Sequence, residues 1–584
     1  MAIQWTTAAA LVTASVVVYN VASLVRHIRA ARRIGLPYVV LPMLETEIIA
    51  QLMTPILRKL YTDQLNDSNG WPRWCRFMIK DWSWEDRRRA HDEYGEVFLV
   101  VSPQGIICYS ADAAMGWDVM NRRYDFTKPR DKYKILETYG PNVVTAEGST
   151  YRFHLRMTAP SFADGTGVND LVWQETARQT RLLMGNWAAK KHTKGLVEDV
   201  GAVTLGVISR AGFGKRVESV HEQSQDVPEG YEISFLTGLE IIARHILAIL
   251  VFPSWFLDLT PWSHASSAKR QLEKYLRAMI RREKGSRPLE TVEEGELGSQ
   301  ANLLDAIVEA AREDAKQQAK GDAKERKKGF TEDEVMGNLF IYLLAGYETT
   351  ANSIYYGLLA LAAWPEIQTR VIEEIDRVYE QAAAEGRSAL TYKDDFPKLE
   401  YTFGFMYEVF RLYPSVVLIT KMCQKPQNIQ IRDEKTDTMR THTLPAECRV
   451  YLSAPGVHYH PRYWKESEEL KPERWLTDQY SHRGDDEVHR GKHVAAADKT
   501  RQMRGTLLTF SDGGRACLGR KFAQAEYMAL FATLLRRYRV KFASGVDVKQ
   551  AKIDLSNKCG GTLTLSPLPG FRLELELREE VAVQ

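Results

Sequence analysis

The chain has 584 residues, 44% hydrophobic and 26% charged, which is ample for a large buried core and excludes global disorder. Its net charge of +3 argues against nucleic acid as the main partner. The six cysteines (Cys75, Cys108, Cys423, Cys448, Cys517 and Cys559) form no CxxC pair and no dense framework, which fits a reducing compartment.

The N-terminus carries its own signal. Trp5 to Val25 contains no charge, and Arg26, His27, Arg29, Arg32 and Arg33 follow it. About 20 apolar residues suffice to cross a bilayer as a helix. A basic cluster on the C-terminal side keeps the rest of the chain in the cytosol. A cleaved signal peptide has its charges before the apolar core, the reverse of this order. Residues 1–25 therefore read as a retained single-pass anchor. Pro37 and Pro42 break any helix leaving the membrane, so 26–60 reads as a basic, proline-containing hinge and linker. No linker divides the remainder, and 61–584 reads as one large domain. Its first stretch, 61–93, is rich in Trp and Arg, and reads either as an interfacial segment or as ordinary aromatic packing.

Glu96 to Ser110 is β-branched and broken by Pro-Gln-Gly, which predicts a strand hairpin. Thr127 to Glu147 is polar and irregular, a long loop of the kind that covers a site. Val197 to Phe213 is apolar at helical spacing. The fragment Gly212 to Val217 lacks the third glycine of a dinucleotide fingerprint and is set aside. Residues 310–328 form a solvated run rich in Ala, Lys and Glu. Thr331 and Glu334 form a capping box that opens a long apolar helix.

That helix contains LLAGYETT, Leu343 to Thr350. Ala345 and Gly346 are small enough for a flat cofactor to lie against them. The Thr349 hydroxyl can bond back to the Ala345 carbonyl, loosening the helix into a notch. There Glu348 and Thr349 would hold dioxygen and relay protons. Pro365 starts a fresh amphipathic helix. Glu408 and Arg411 sit at i and i+3 on a helix between Pro397 and Pro414, a pairing that on a surface is worth only about 0.2–0.5 kcal/mol. PERW, Pro472 to Trp475, adds Arg474. Residues 477–505 are polar and Gly/His-rich, a surface insertion.

The most informative segment is FSDGGRACLG, Phe510 to Gly519. Phe510, Gly513, Arg515 and Gly519 frame Cys517 at fixed spacing, and a long periodic segment follows at once. A sulfur at a helix N-terminus is favoured as thiolate. The two glycines permit close approach of a flat ligand. Arg515 can reach an anionic group on it. A thiolate so placed suits heme iron. The run Gly514 to Arg520 mimics a P-loop, but Arg520 stands where that motif needs Lys.

Here the chain resembles the cytochrome P450 family, whose signature F-x-x-G-x-R-x-C-x-G is matched at every fixed position. AGxET resembles the family's oxygen-activating segment, with Glu348 where many members carry Asp. ExxR and PERW resemble its Glu-Arg-Arg network, which assigns Glu408, Arg411 and Arg474 a structural role. The match weakens at the propionate partners. In STYRFHLRMTAPSF, Tyr151 takes the usual Trp place and Leu155 the usual basic place, with His154 or Arg156 as substitutes. Lys421 stands where an arginine usually bonds a propionate. Arg515 is the safest partner.

The resemblance implies a mainly α-helical, prism-like fold with small β-sheets, tethered by one transmembrane helix. It implies a heme-thiolate monooxygenase that uses heme b and O2, with Cys517 as the iron ligand. Phe510, Gly513, Gly519, Ala345 and Gly346 would adjoin the cofactor. The chain has no complete flavin or nicotinamide motif, so electrons would come from an NADPH-dependent flavoprotein reductase, with cytochrome b5 as an optional second donor. Arg520, Lys521, Arg536 and Arg537 read either as a docking face for it or as a solvated basic face. Lining segments are expected at Thr127–Glu147, Leu343 and Leu344, Val416–Thr420 and the turn at Gly561 and Thr562. Apart from the loop they are apolar or neutral, which suits a lipophilic substrate such as a terpenoid, steroid, polyketide or fatty acid. The polar insertions resemble fungal members, many of them in secondary metabolism. The apolar span, the arginines after it and the cysteines that suit a reducing side place the catalytic domain in the cytosol, on the endoplasmic reticulum membrane where a reductase can reach it. The rival readings are a xenobiotic- or fatty-acid-oxidising member, a reductase-independent isomerase or dehydratase, which the intact AGxET opposes, and a heme sensor or carrier without turnover.

Overall fold

The computed structural model describes residues 2–45, 47–61, 71–79, 82–190, 196–217, 227–285, 302–320, 329–433, 438–476, 504–560, 564–568 and 570–578. Asn66 with its sequon, most of the 477–505 insertion, residues 321–328 and the turn at Gly561 and Thr562 lie outside them. The chain divides into two compact units, one of residues 1–129, 416–469 and 497–517, the other of 130–415, 470–496 and 518–584.

The first unit is built on a six-stranded sheet. It begins with helix α1 (Ala2–Ile34), followed by β1 (Tyr38–Val40) and α2 (Ile48–Leu60). Then come β2 (Val97–Ser102), β3 (Gly105–Ser110), α3 (Ala113–Asn121), β4 (Phe126–Thr127), β5 (Leu418–Cys423), β6 (Gln427–Asp433), β7 (Thr438–Leu444) and β8 (Arg449–Ser453). The strand order is β1-β2-β3-β8-β5-β4, with β6 and β7 as a separate hairpin. The predicted hairpin is β2–β3, antiparallel, with Val97 opposite Ser110.

Residues 26–60 depart from the expected linker. The second half of α1 docks on the sheet, with the Ser23 hydroxyl donating to Pro103 O at 2.7 Å and His27 Nδ1 2.8 Å from Ser102 O. Leu24, Ile28, Ala31 and Ile34 recur at helical spacing and pack into the sheet core, while the arginines between them face outward. The helix ends at Gly35, at φ +78°, before either proline. β1 then pairs in parallel with β2, and Leu41, Leu44, Ala50 and Leu57 enter the core on the other sheet face. Trp71 and Trp82 join that core and Trp84 is also buried, so aromatic packing accounts for most of the Trp-rich stretch, with Trp74 exposed.

The second unit is helical. Its main elements are α4 (Gly148–Thr158), α5 (Val168–Lys190), α6 (Leu196–Phe213), α7 (Phe235–Arg244), α8 (Ser263–Gly285), α9 (Leu303–Lys320) and α10 (Glu332–Ala363). They continue with α11 (Pro365–Ala384), α12 (Glu400–Leu412), α13 (Arg520–Leu535) and α14 (Val548–Asn557), plus the antiparallel pair β9 (Tyr538–Phe542) and β10 (Leu573–Leu577). α10 runs through the core, with α6 packed along it, and α5 packs on α6 and α13. Both halves of the Thr331–Glu334 capping box are formed at its start, and Pro365 opens α11. The stretch 130–147 is not wholly irregular. Arg130–Tyr133 is helical, and the buried Asn142 side chain organises a turn, accepting from Val144 N at 3.0 Å and Thr145 N at 3.2 Å while donating to Leu136 O at 3.0 Å.

Candidate functional site

Each unit contributes a distinct set of groups. In the first, the chain reaches the cysteine loop through Leu508, whose N–H donates to Nε2 of the fully buried His458 at 2.8 Å. The loop closes on itself, with Ser511 N bonded to Leu508 O at 2.9 Å, Ala516 N to Gly513 O at 3.2 Å, and Cys517 N to Phe510 O at 2.9 Å. Asp512 Oδ1 accepts from Gly513 N at 2.7 Å. Gly513 has φ +65°, and a Cβ there would lie 2.9 Å from Met120 O at the end of α3. Its smallness seats the loop against α3, where the sequence suggested approach to a ligand. Gly519 differs, since a Cβ there would meet nothing within 4 Å. It is the N-cap of α13, two residues after Cys517.

None of the six cysteines forms a disulfide; five are buried, and Cys517 alone is exposed. Burial raises the thiols of Cys75, Cys108, Cys423, Cys448, the first to about 11 and the third to about 12, which makes them inert packing groups. Lys421 on β5 is only 3% exposed, an uncommon place for an ammonium unless an anion accompanies it. Arg515 is half-buried in the short turn Gly513–Arg515. Val416 to Thr420 are all at least partly accessible.

In the second unit the burial of α10 tells where its chemistry lies. Its residues are buried from Glu334 to Leu343 and again from Thr350 to Ala363. Between them Leu344 to Thr349 are accessible, with Ala345 exposed. Thr349 Oγ1 donates to Ala345 O at 2.5 Å, the back-bond expected from sequence. The helix nevertheless stays continuous, so accessible surface replaces the expected loosening. Gly346 has another task than Ala345. Its missing Cβ would lie 3.4 Å from Ile208 Cδ1, so it lets α6 approach α10. Glu348 Oε1 accepts from Thr564 N at 3.0 Å and from the Thr564 hydroxyl at 2.9 Å.

Glu408 and Arg411 are both fully buried on α12. Arg411 grips the carboxylate with two donors, Nε to Oε1 at 2.8 Å and Nη2 to Oε2 at 2.9 Å. Arg474 Nε and Lys471 N donate to Oε2 at 3.3 and 2.9 Å, and Trp475 Nε1 donates to Oε1 at 3.0 Å. Burial alone would raise this carboxyl; the Arg411 and Arg474 charges and these donors outweigh it and hold it below the ordinary carboxylate range. The structure thus brings together the three residues named from sequence and adds Lys471 and Trp475.

His154 and Arg156 do not suit the propionate role. His154 is fully buried, its Nδ1 3.0 Å from Asn338 Nδ2 and its Nε2 3.5 Å from Glu334 Oε1. It ties α4 to the start of α10 beside a carboxylate that would repel another anion. The Arg156 side chain is exposed and pairs with Asp314 at 3.1 Å. Of the four basic residues near the loop, Lys521 pairs with Asp164 and Arg536 with Asp376, which favours the solvated-face reading for those two. Sequence reasoning missed His458, Thr564, Lys471 and Trp475, whose partners lie tens to hundreds of residues away.

Residues 70–565 match the family model for cytochrome P450. The chain is 48% identical to cytochrome P450 monooxygenase prx9 of Penicillium rubens, over 97% of this chain and 96% of that protein. It is equally similar, with the same coverage, to cytochrome P450 monooxygenase ORF6 of Penicillium roqueforti. A phomenoic acid biosynthesis cluster cytochrome P450 monooxygenase of Leptosphaeria maculans is 23% identical over 94% of this chain and 95% of that protein. The family implies heme iron, O2, a reductase and a small-molecule substrate. The chain belongs to the cytochrome P450 family and is a monooxygenase, an oxidoreductase.

Proposed function

We propose that the protein is a membrane-anchored heme-thiolate monooxygenase that inserts one oxygen atom into a lipophilic small molecule of fungal secondary metabolism, a terpenoid, steroid or polyketide. The observation that carries it is the isolation of Cys517, the one exposed thiol of six, in a loop fixed by Gly513 and His458. Within the first unit the residues present fit a heme: an accessible sulfur in Cys517, and two cations suited to propionates in Arg515 and the buried Lys421. When bound, that group supplies the oxygen-activating chemistry. The chain's own part is to hold and move protons. Thr349 Oγ1, donating to Ala345 O, keeps its lone pairs available to an incoming donor. Glu348, next along the helix, would pass protons to that place. The Glu408 cluster would keep the surrounding core rigid and takes no part in proton transfer. Val416 to Ile419 of the first unit are accessible and apolar, which supports a lipophilic substrate. The name of the Leptosphaeria relative supports secondary metabolism.

The site test is spectroscopic. Reduced protein with carbon monoxide should show the red-shifted Soret band of thiolate ligation, and Cys517→Ala should lose that band and the activity. Retention of both overturns the reading. A non-catalytic carrier would instead bind heme and consume no NADPH with any substrate.

α1 is long and apolar enough to cross a membrane over Leu11–Ile34 by composition, with Leu11 to Val21 largely exposed. α2 also exposes an apolar stripe of Ile49, Leu52, Ile56 and Leu60. Because α1 docks on the sheet from Ser23 onward, the membrane portion would end near Val21. The proposed setting is the endoplasmic reticulum, catalytic domain in the cytosol, electrons arriving from an NADPH–cytochrome P450 reductase and optionally cytochrome b5. Protease added to intact microsomes should then digest the domain, and Asn66 should carry no glycan. A glycan there reverses the orientation.

A further inference from the structure

The accessible stretch of α10 is tied to a segment more than two hundred residues further along the chain. Thr564 gives Glu348 Oε1 two hydrogen bonds, from its backbone N–H at 3.0 Å and its hydroxyl at 2.9 Å. The same hydroxyl accepts from Asn352 Nδ2 at 2.9 Å. Asn352 lies four residues after Glu348, on the same helix face. The hydroxyl hydrogen is therefore committed to the carboxylate, because the amide occupies an acceptor position and fixes the rotor. The next residue anchors the segment again. Leu565 N–H donates to Ser415 O at 3.0 Å. The Ser415 hydroxyl reaches Thr349 O at 3.2 Å and lies 2.9 Å from the Ser353 hydroxyl, which itself is 2.8 Å from Thr349 O. The carboxylate of Glu348 and the carbonyl of Thr349 are thus both held through the 564–565 segment, one directly and one through Ser415.

Thr331 and Thr402 grip one oxygen of Glu334 and of Glu374 in the same way, with N–H and hydroxyl together, but both of those carboxylates are buried, whereas Glu348 is accessible. A carboxylate on a solvated helix face rotates freely about its side-chain bonds. One that must exchange protons at a defined place benefits from a fixed orientation, since proton transfer needs donor and acceptor within hydrogen-bond reach. A two-point grip on one oxygen supplies that orientation.

We propose that Thr564 is a positioning residue for the reaction, clamping one oxygen of the Glu348 carboxylate so that proton delivery beside Thr349 runs through a carboxylate of set direction. This rests on the reading of Glu348 and Thr349 as the proton-handling pair. Asn352 serves the same end at one remove, by orienting the Thr564 hydroxyl. Thr564→Val keeps the shape and the N–H but loses the hydroxyl; Thr564→Ser keeps the hydroxyl.

The test needs no known substrate. Heme-loaded protein, a flavoprotein reductase and NADPH consume oxygen, and the ratio of peroxide to water formed reports proton delivery. Thr564→Val should raise that ratio about fivefold, the scale that one hydrogen bond gives a rate. Thr564→Ser should return it towards wild type. In a Glu348→Gln background, Thr564→Val should change the ratio no further. A solvent deuterium effect on the ratio should fall together with it, which a purely structural role would not produce. A second readout needs no turnover: the loss of thermal stability on Thr564→Val should shrink in the Glu348→Gln background. If Glu348→Gln shifts the ratio and Thr564→Val leaves it unchanged, the clamp is overturned. If Glu348→Gln itself leaves it unchanged, the reading of Glu348 fails, and the proposal with it.

Discussion

Two glutamates in the helical unit, both out of contact with solvent, have reached opposite solutions to burial. Glu408 on α12 is 0% exposed and sits among the guanidiniums of Arg411 and Arg474, with Lys471 N–H and Trp475 Nε1 completing its shell. Glu526 on α13 is 1% exposed, and its Oε1 has no hydrogen-bond partner among the described residues. Burial pushes its carboxyl well above the usual range, with no counter-charge to pull it back. The first is an anion enclosed by cations, the second a carboxyl that burial biases towards its protonated form. Neither can trade protons with a substrate. Glu348, held by Thr564 on the accessible part of α10, is the carboxylate to which we assign that role.

The largest expected effect is at Glu408. Removing it takes the carboxylate away from two buried guanidiniums, and breaking a buried pair costs about 3–5 kcal/mol. Glu408→Ala or Arg411→Ala should give protein that unfolds early and retains no heme, checked by heme content and thermal denaturation. Stable, heme-loaded but inactive protein would make Glu408 a chemical residue. Its depressed carboxyl also fixes a sign: the stability it adds is complete above the unfolded carboxylate range and is lost as pH falls through its lower folded value.

Glu526 should show the reverse. The folded chain keeps a proton that the unfolded chain releases above about pH 4.3, so its contribution to stability declines as pH rises. Denaturant midpoints of wild type and Glu526→Gln should diverge as pH rises above the unfolded carboxylate range, the variant gaining stability relative to wild type. A constant difference would mean that Glu526 is ionised in the fold and that the contrast with Glu408 is false.

What the sequence revealed follows the range of each interaction. The Thr331–Glu334 box spans three residues, and its chemistry is written in adjacent letters. Glu408, Arg411 and Arg474 were nameable only because a family pattern links them; ExxR alone says nothing about Lys471 or Trp475. The Thr564 contact with Glu348 leaves no local trace, because a threonine in an irregular segment is unexceptional. Residues 26–60 misled for another reason. Five basic residues from Arg26 to Arg33 dominate the composition and hide the stripe of Leu24, Ile28, Ala31 and Ile34, whose spacing alone betrays a packed face. His154 shows that a basic residue near the right position says nothing about which face it serves.

Glu348→Gln and Thr349→Ala should fold normally, since neither leaves a buried charge unpaired. They should lower product formation roughly a hundredfold, at the weak end of what a lost general acid costs, with peroxide in place of product. Oxygen and NADPH consumption measured against product would show it. Equal coupling in variant and wild type would remove the pair from the mechanism and erase the distinction between Glu348 and the two enclosed glutamates.

The smallest effect on the fold is expected at Gly519, and its smallness makes it informative. Gly513 is demanded by the protein, since its φ of +65° and the nearby Met120 O leave no place for a side chain. Gly519 has φ −81°, ordinary for any residue, and a Cβ there would meet nothing within 4 Å. Gly513→Ala should therefore destabilise the loop in any state. Gly519→Ala should change the stability of the heme-free protein by less than about 0.5 kcal/mol, as surface substitutions do. If glycine at 519 serves the approach of a flat ligand, the same variant should bind heme more weakly while its heme-free melting temperature stays put. Heme titration beside a melting curve separates the two. Unchanged affinity would show that Gly519, unlike Gly513, answers to neither the chain nor the cofactor.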